Sequence, residues 1–116
     1  ARILLLAAGL GGASGVMAAA AASHAGQSRN LAAIAAICLA HGPALLALGL
    51  AGQSRLLRLA GFALAIGTAI FAADLGMREW AGRGLFTGAA PLGGGAMIVA
   101  WITIAVAGAI GALQND

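Results

Sequence analysis

Four apolar runs, each long enough to cross a bilayer and parted only by short polar turns, occupy nearly the whole chain. A membrane-spanning helix needs about 20 consecutive, mostly apolar residues. The runs fall at about 3–23, 31–50, 56–80 and 91–113. Backbone N–H and C=O groups in hydrocarbon must bond within their own segment, and a continuous rather than alternating apolar run does so as a helix. The pattern predicts an all-α integral membrane protein. Its four transmembrane helices form an up-down antiparallel bundle, a single domain over residues 1–116.

Charge content excludes a water-soluble alternative. Only 8% of the 116 residues are charged and 62% are hydrophobic. Soluble domains carry about a quarter charged residues, because polar side chains must cover the outside of the fold. The net charge of +3 does not mark a nucleic-acid binder. The arginines stand singly at the ends of apolar runs, as the positive-inside rule places them, and form no basic patch. Cys38 is the only cysteine, so no internal disulfide or thiolate cluster forms, and it reads as a small buried hydrophobe.

The first run imitates a secretory signal, with Arg2, an apolar stretch from Ile3 and small residues up to Ala25. We take it as the first span instead. Gly11 and Gly15, continued by Ala19 and Ser23, form a ridge of small residues at spacing four. Such ridges let helix backbones approach closely in lipid, where packing drives association. The second run offers Ala32, Ala36, Ala40 and Ala44, and the third Gly61, Ala65, Ala69 and Ala73. Pro43 removes a backbone donor in mid-helix and predicts a kink. The segments Gly26–Asn30 and Gly52–Arg55 read as turns. Pro91 suits the first turn of the fourth helix, where its missing N–H is harmless.

Ionisable groups inside the spans are the candidates for function, because charge in hydrocarbon is costly. His24, Asp74 and His41 would enter the bundle at increasing depth from the side away from the termini. With Arg78 they form a possible polar line for protons or a lipid headgroup. The plainer reading pairs Asp74 with Arg78, four residues on along one helix face, and gives each histidine a backbone carbonyl. His24 and His41 differ in depth by about 15 Å at 1.5 Å per residue, which separates them as joint metal or haem ligands. His41 alone is a candidate haem or pigment ligand through its imidazole. Light-harvesting helices commonly place a small residue four before such a histidine, where Ile37 stands here. Trp101 reads as filling the bundle interior, and Trp80 as an interfacial aromatic-belt residue. Gly93 and Gly94 follow Pro91 without the strand or lysine of a phosphate loop, so they read as a tightly packed helix start.

The order of these features resembles a known pattern. Ser23-His24-Ala25 closes the first helix, and His41 precedes Ala44-Leu45-Leu46-Ala47. Phe71-Ala72-Ala73-Asp74-Leu75 follows, and then Ala90-Pro91-Leu92-Gly93-Gly94 leading to Trp101. The chain resembles the domain-of-unknown-function 423 family of small bacterial inner-membrane proteins over nearly its whole length. The resemblance implies four membrane helices with cytoplasmic termini and no established activity. Arginines tie between the two sides: Arg2, Arg55 and Arg58 against Arg29, Arg78 and Arg83. Neutralisation of Arg78 by Asp74 tips the balance toward cytoplasmic termini.

No arrangement of nucleophile, base or carboxylates suggests an enzyme, and no cofactor is expected. The leading expectation is a non-catalytic accessory subunit of a larger bacterial membrane complex, respiratory or photosynthetic, with lipids and other integral subunits as partners. The alternatives are a small transporter or proton-conducting bundle using His24, Asp74 and His41, and a haem- or pigment-binding subunit.

Overall fold

The computed structural model describes residues 2–24, 28–51 and 54–115, with side chains through Gly111. Four helices follow one another: α1 (Arg2–His24), α2 (Arg29–Ala51), α3 (Arg55–Ala81) and α4 (Ala89–Asn115). All four are long and apolar enough to cross a membrane, and the described residues contain no strand. Of the predicted turns, Gly26, Gln27, Gly52 and Gln53 lie outside the described residues. Arg29, Asn30 and Arg55 belong to the helices that follow.

Local chemistry sets the helix ends. The Ser28 hydroxyl accepts from the Leu31 N–H at 3.1 Å, and the Ser54 hydroxyl accepts from Leu57 N–H at 3.1 Å. Each occupies one of the donors that a helix start leaves unpaired. α3 ends at Gly82, whose φ of 77° lies in the left-handed region open to glycine. α4 begins two residues earlier than expected, so Pro91 is its third residue and still costs no helical bond. α2 runs through Pro43 as one helix.

Glycines decide which helices meet. A Cβ on Gly42 would stand 3.0 Å from the Gly12 nitrogen, and one on Gly15 would fall 2.8 Å from Leu39. Leu5 lies against Gly49. These contacts run in opposite chain directions, so α1 and α2 are an antiparallel pair. α3 and α4 pair likewise: a Cβ on Gly67 would meet the Gly93 carbonyl oxygen at 2.7 Å, and one on Gly93 would meet Phe71 N at 2.9 Å. α2 packs on α3 between the two pairs, and Leu4 of α1 fills the notch at Gly61. Leu4, Leu45, Leu64 and Met97 centre the core in one half of the bundle, and Leu31, Ile34 and Cys38 in the other.

Several expected contacts are corrected. Gly11, Gly15 and Ala19 do face protein, and so do Gly61 and Ala65, but Ala69 and Ala73 are exposed. A step of four residues overshoots a turn by roughly 40°, so a straight-looking ridge winds out of the contact face. On α2 most of the expected ridge is turned outward: Ala32, Ala36 and Ala40 are exposed, Ala44 alone packs against the core, and Leu31, Ile34, Cys38, Gly42 and Leu45 are buried. Gly93 packs as a tight helix start should, whereas Gly94 has open space around it. Trp101 does not fill the interior. It lies at the bundle edge, 44% exposed.

Candidate functional site

Asp74 stands near the end of α3, and its side chain is completely buried. Its two oxygens divide the work. Oδ2 accepts from Arg78 Nε at 2.9 Å, one helical turn on, and Oδ1 accepts from the Leu85 N–H at 2.7 Å. The carboxylate is covered by its immediate neighbours rather than by depth, and Arg78 itself remains 48% exposed. Gly84 makes the arrangement possible: a Cβ there would come 2.5 Å from Asp74 Oδ1 and 3.0 Å from an Arg78 nitrogen. Charge-assisted bonds are the stronger kind, so this group ties the loop before α4 to the end of α3.

A second tie, which the sequence reading missed, lies at the same end. Glu79 accepts from the Ser28 hydroxyl at 2.6 Å and from Asn30 Nδ2 at 3.5 Å. This places a carboxylate at the N-terminus of α2, where the helix dipole favours negative charge. A Ser-x-Asn start facing an acid at the end of an antiparallel neighbour was the available signal.

His41 is buried, 5% exposed, and accepts a hydrogen bond on Nε2 from the Trp101 indole N–H at 2.8 Å. The rings stand 5.7 Å apart and are tilted by 40°. Indole N–H only donates, so this contact assigns the imidazole proton to Nδ1. Nδ1 forms no hydrogen bond. A haem or pigment taken up through Nε2 would have to displace Trp101.

The proposed polar line is thus divided. Asp74 and Arg78 are together, His41 is with Trp101, and His24 is exposed at the end of α1. Among the described residues no hydrogen bond joins either histidine to Asp74.

α1 and α3 touch only lightly, and a cleft opens between them over α2. Its inner part, about 300 Å³, is lined by Gly11, Ser14, Cys38, Thr68 and Ala72, among others. An outer part of about 490 Å³ shares Ser14 and Ala72 and continues past Met17 and Gly76 to Trp80. Thr68 is 6% exposed, and its hydroxyl has no partner.

No family model, characterised protein or solved structure matches the chain.

Proposed function

We propose that the protein is a small multi-pass membrane protein acting as a non-catalytic accessory subunit, packed against a larger complex of the bacterial inner membrane. The observation that carries this reading is the outward ridge of Ala32, Ala36 and Ala40 on α2, exposed although small residues at spacing four are what close helix contact in lipid requires. The outer helices add to it: only 22% of the apolar stretch of α1 and 17% of that of α4 is buried inside the bundle. Lipid alone can cover a bulky apolar face, but it gains little from smooth alanine ridges, whereas a partner helix gains close approach.

Membership of the domain-of-unknown-function 423 family belongs to this reading, resting on Pro91-Leu92-Gly93-Gly94 and the Trp101 that follows. Cytoplasmic termini belong to it as well, since Arg78 is engaged by Asp74 while Arg2, Arg55 and Arg58 lie toward the terminal side. A respiratory or photosynthetic complex is the partner class such a subunit fits. Gentle solubilisation of native membranes followed by native electrophoresis tests the reading. Co-migration with a complex several times the mass of the chain supports it; recovery only as a free monomer contradicts it.

A further inference from the structure

We propose that the loop between α3 and α4, residues 82–88, binds the phosphate headgroup of an anionic phospholipid through Arg83 and the outer edge of Arg78. The inference rests neither on docking to a larger complex nor on which way the bundle is inserted. It begins with how far the loop folds back. The Leu85 N–H bonds Asp74 Oδ1, about two turns before α3 ends at Ala81. Leu85 therefore lies roughly 10 Å below the last residue of that helix, at 1.5 Å per residue. α3 has 27 residues and so measures about 40 Å, against about 30 Å of hydrocarbon. Its last turns stand in the headgroup layer, and the loop is drawn down beside them to the hydrocarbon edge. There Leu85 and Phe86 are 44% and 48% exposed, apolar surface that acyl chains cover and water does not.

Charge then selects the guest. Arg78 spends Nε on Asp74. Its Nη2 lies over Gly84, where a Cβ would stand 3.0 Å away, and the residue before Gly84 is Arg83, exposed. Among the described residues Asp74 and Arg78 form the only ion pair. Glu79, the other acid at this end, is held by Ser28 and Asn30 on the α2 side. Arg83 thus sets a cation beside Arg78 with no acid to balance it, and the loop is net positive. Guanidinium groups match phosphate oxygens in geometry as well as in charge. A zwitterionic headgroup brings its own cation against the same arginines, whereas an anionic one does not. Free phosphate would satisfy the arginines but leave Leu85 and Phe86 bare; a phospholipid covers both.

The test uses the full chain in liposomes of dioleoylphosphatidylcholine with a fixed fraction of lipid brominated on its acyl chains. That fraction is phosphatidylglycerol in one series and phosphatidylcholine in the other. Bromine quenches a nearby indole, and subtracting the parent signal from that of Phe86→Trp isolates a reporter on the loop. Phosphatidylglycerol should be enriched at the reporter about fivefold over phosphatidylcholine, the effect of one arginine at a membrane surface. Adding Arg83→Gln should remove most of the enrichment, and Arg83→Lys should keep most of it. Arg58→Gln, at the other end of α3, should change nothing. Sodium chloride should lower the enrichment through screening, a measurement that leaves Arg83 in place. Inorganic phosphate should lower it no more than chloride does at equal ionic strength. Equal quenching by the two lipids, as when the loop meets bulk lipid or another protein, overturns the proposal. So does an enrichment that survives Arg83→Gln, ignores salt or yields specifically to inorganic phosphate.

Discussion

Trp101 donates its indole N–H to His41 Nε2 across 2.8 Å, and so joins α4 to α2, two helices that share no close backbone contact among the described residues. The bundle is otherwise mainly a chain of neighbours, α1 on α2, α2 on α3 and α3 on α4, with a light contact of α1 on α3 at Leu4 and Gly61. This hydrogen bond is a cross-brace between members that the glycine contacts leave apart.

Removing either partner should therefore destabilise the bundle, and unequally. Trp101→Phe leaves a buried imidazole nitrogen without a donor, which costs about 1–3 kcal/mol. His41→Ala also opens a cavity and should cost more. The double variant should cost less than the two singles added, with a coupling of about 0.6 kcal/mol and no more than about 1.7 kcal/mol, the average and the upper end for hydrogen bonds between membrane helices. Reversible unfolding in mixed micelles measures all four corners of the cycle; strict additivity would remove the brace.

The glycines at the start of α4 should separate cleanly. Gly93→Ala drives a Cβ onto the Gly67 carbonyl oxygen and Phe71, both fixed by α3, and should destabilise by about 1–3 kcal/mol as overpacking does. Gly95→Ala meets nothing within 4 Å and should be neutral or stabilise by up to about 1 kcal/mol through helix propensity. The same unfolding assay ranks them, and equal effects would contradict the α3–α4 crossing described.

The four helices were legible in the sequence because run length and apolarity are enough to specify a span. Their limits were legible to about two residues, blurred where Ser28 and Ser54 admit polar residues into the first turn. Which face turns inward was legible at Gly11, Gly15 and Gly61 but not on α2. These helices are apolar all round, so periodicity carries no phase, and small residues occur on inner and outer faces alike. Gly42 and Gly67 are inner because Gly12 and Gly93 come up against them, a fact of matching between helices and not of either one. The Asp74–Arg78 pair was readable from spacing four, but Leu85 as its second partner depends on how the loop folds back. The His41–Trp101 bond did leave a trace. Each residue stands twelve positions past its helix start, and α2 and α4 run the same way, so the two polar tips share a depth.

Asp74 anchors the loop through both oxygens, and its variants should fall in a definite order. Asp74→Asn keeps an acceptor for the Leu85 N–H while losing the charge that holds Arg78. Asp74→Ala loses both. Amide exchange at Leu85, followed by NMR or mass spectrometry, should accelerate about tenfold or more in the alanine variant, and less in the asparagine one, as expected for loss of a hydrogen bond. Gly84→Ala should accelerate it too, since its Cβ would displace Asp74 Oδ1. Unchanged exchange in all three would mean that the loop is held elsewhere.

The outward alanines of α2 separate folding from association. Ala36 is exposed and touches no other helix of the bundle closely enough to be covered, so Ala36→Phe should change unfolding free energy by no more than about 0.5 kcal/mol, as surface substitutions usually do. If a partner helix approaches along Ala32, Ala36 and Ala40, that same phenyl ring would hold the two backbones apart and deny them the contact that small residues permit. The variant should then accumulate in the membrane at the wild-type level yet migrate free of the larger complex on a native gel. A phenylalanine at Leu46, also exposed on α2 but already bulky, should leave co-migration intact. Dissociation by both substitutions, or by neither, would locate any partner away from the alanine ridge.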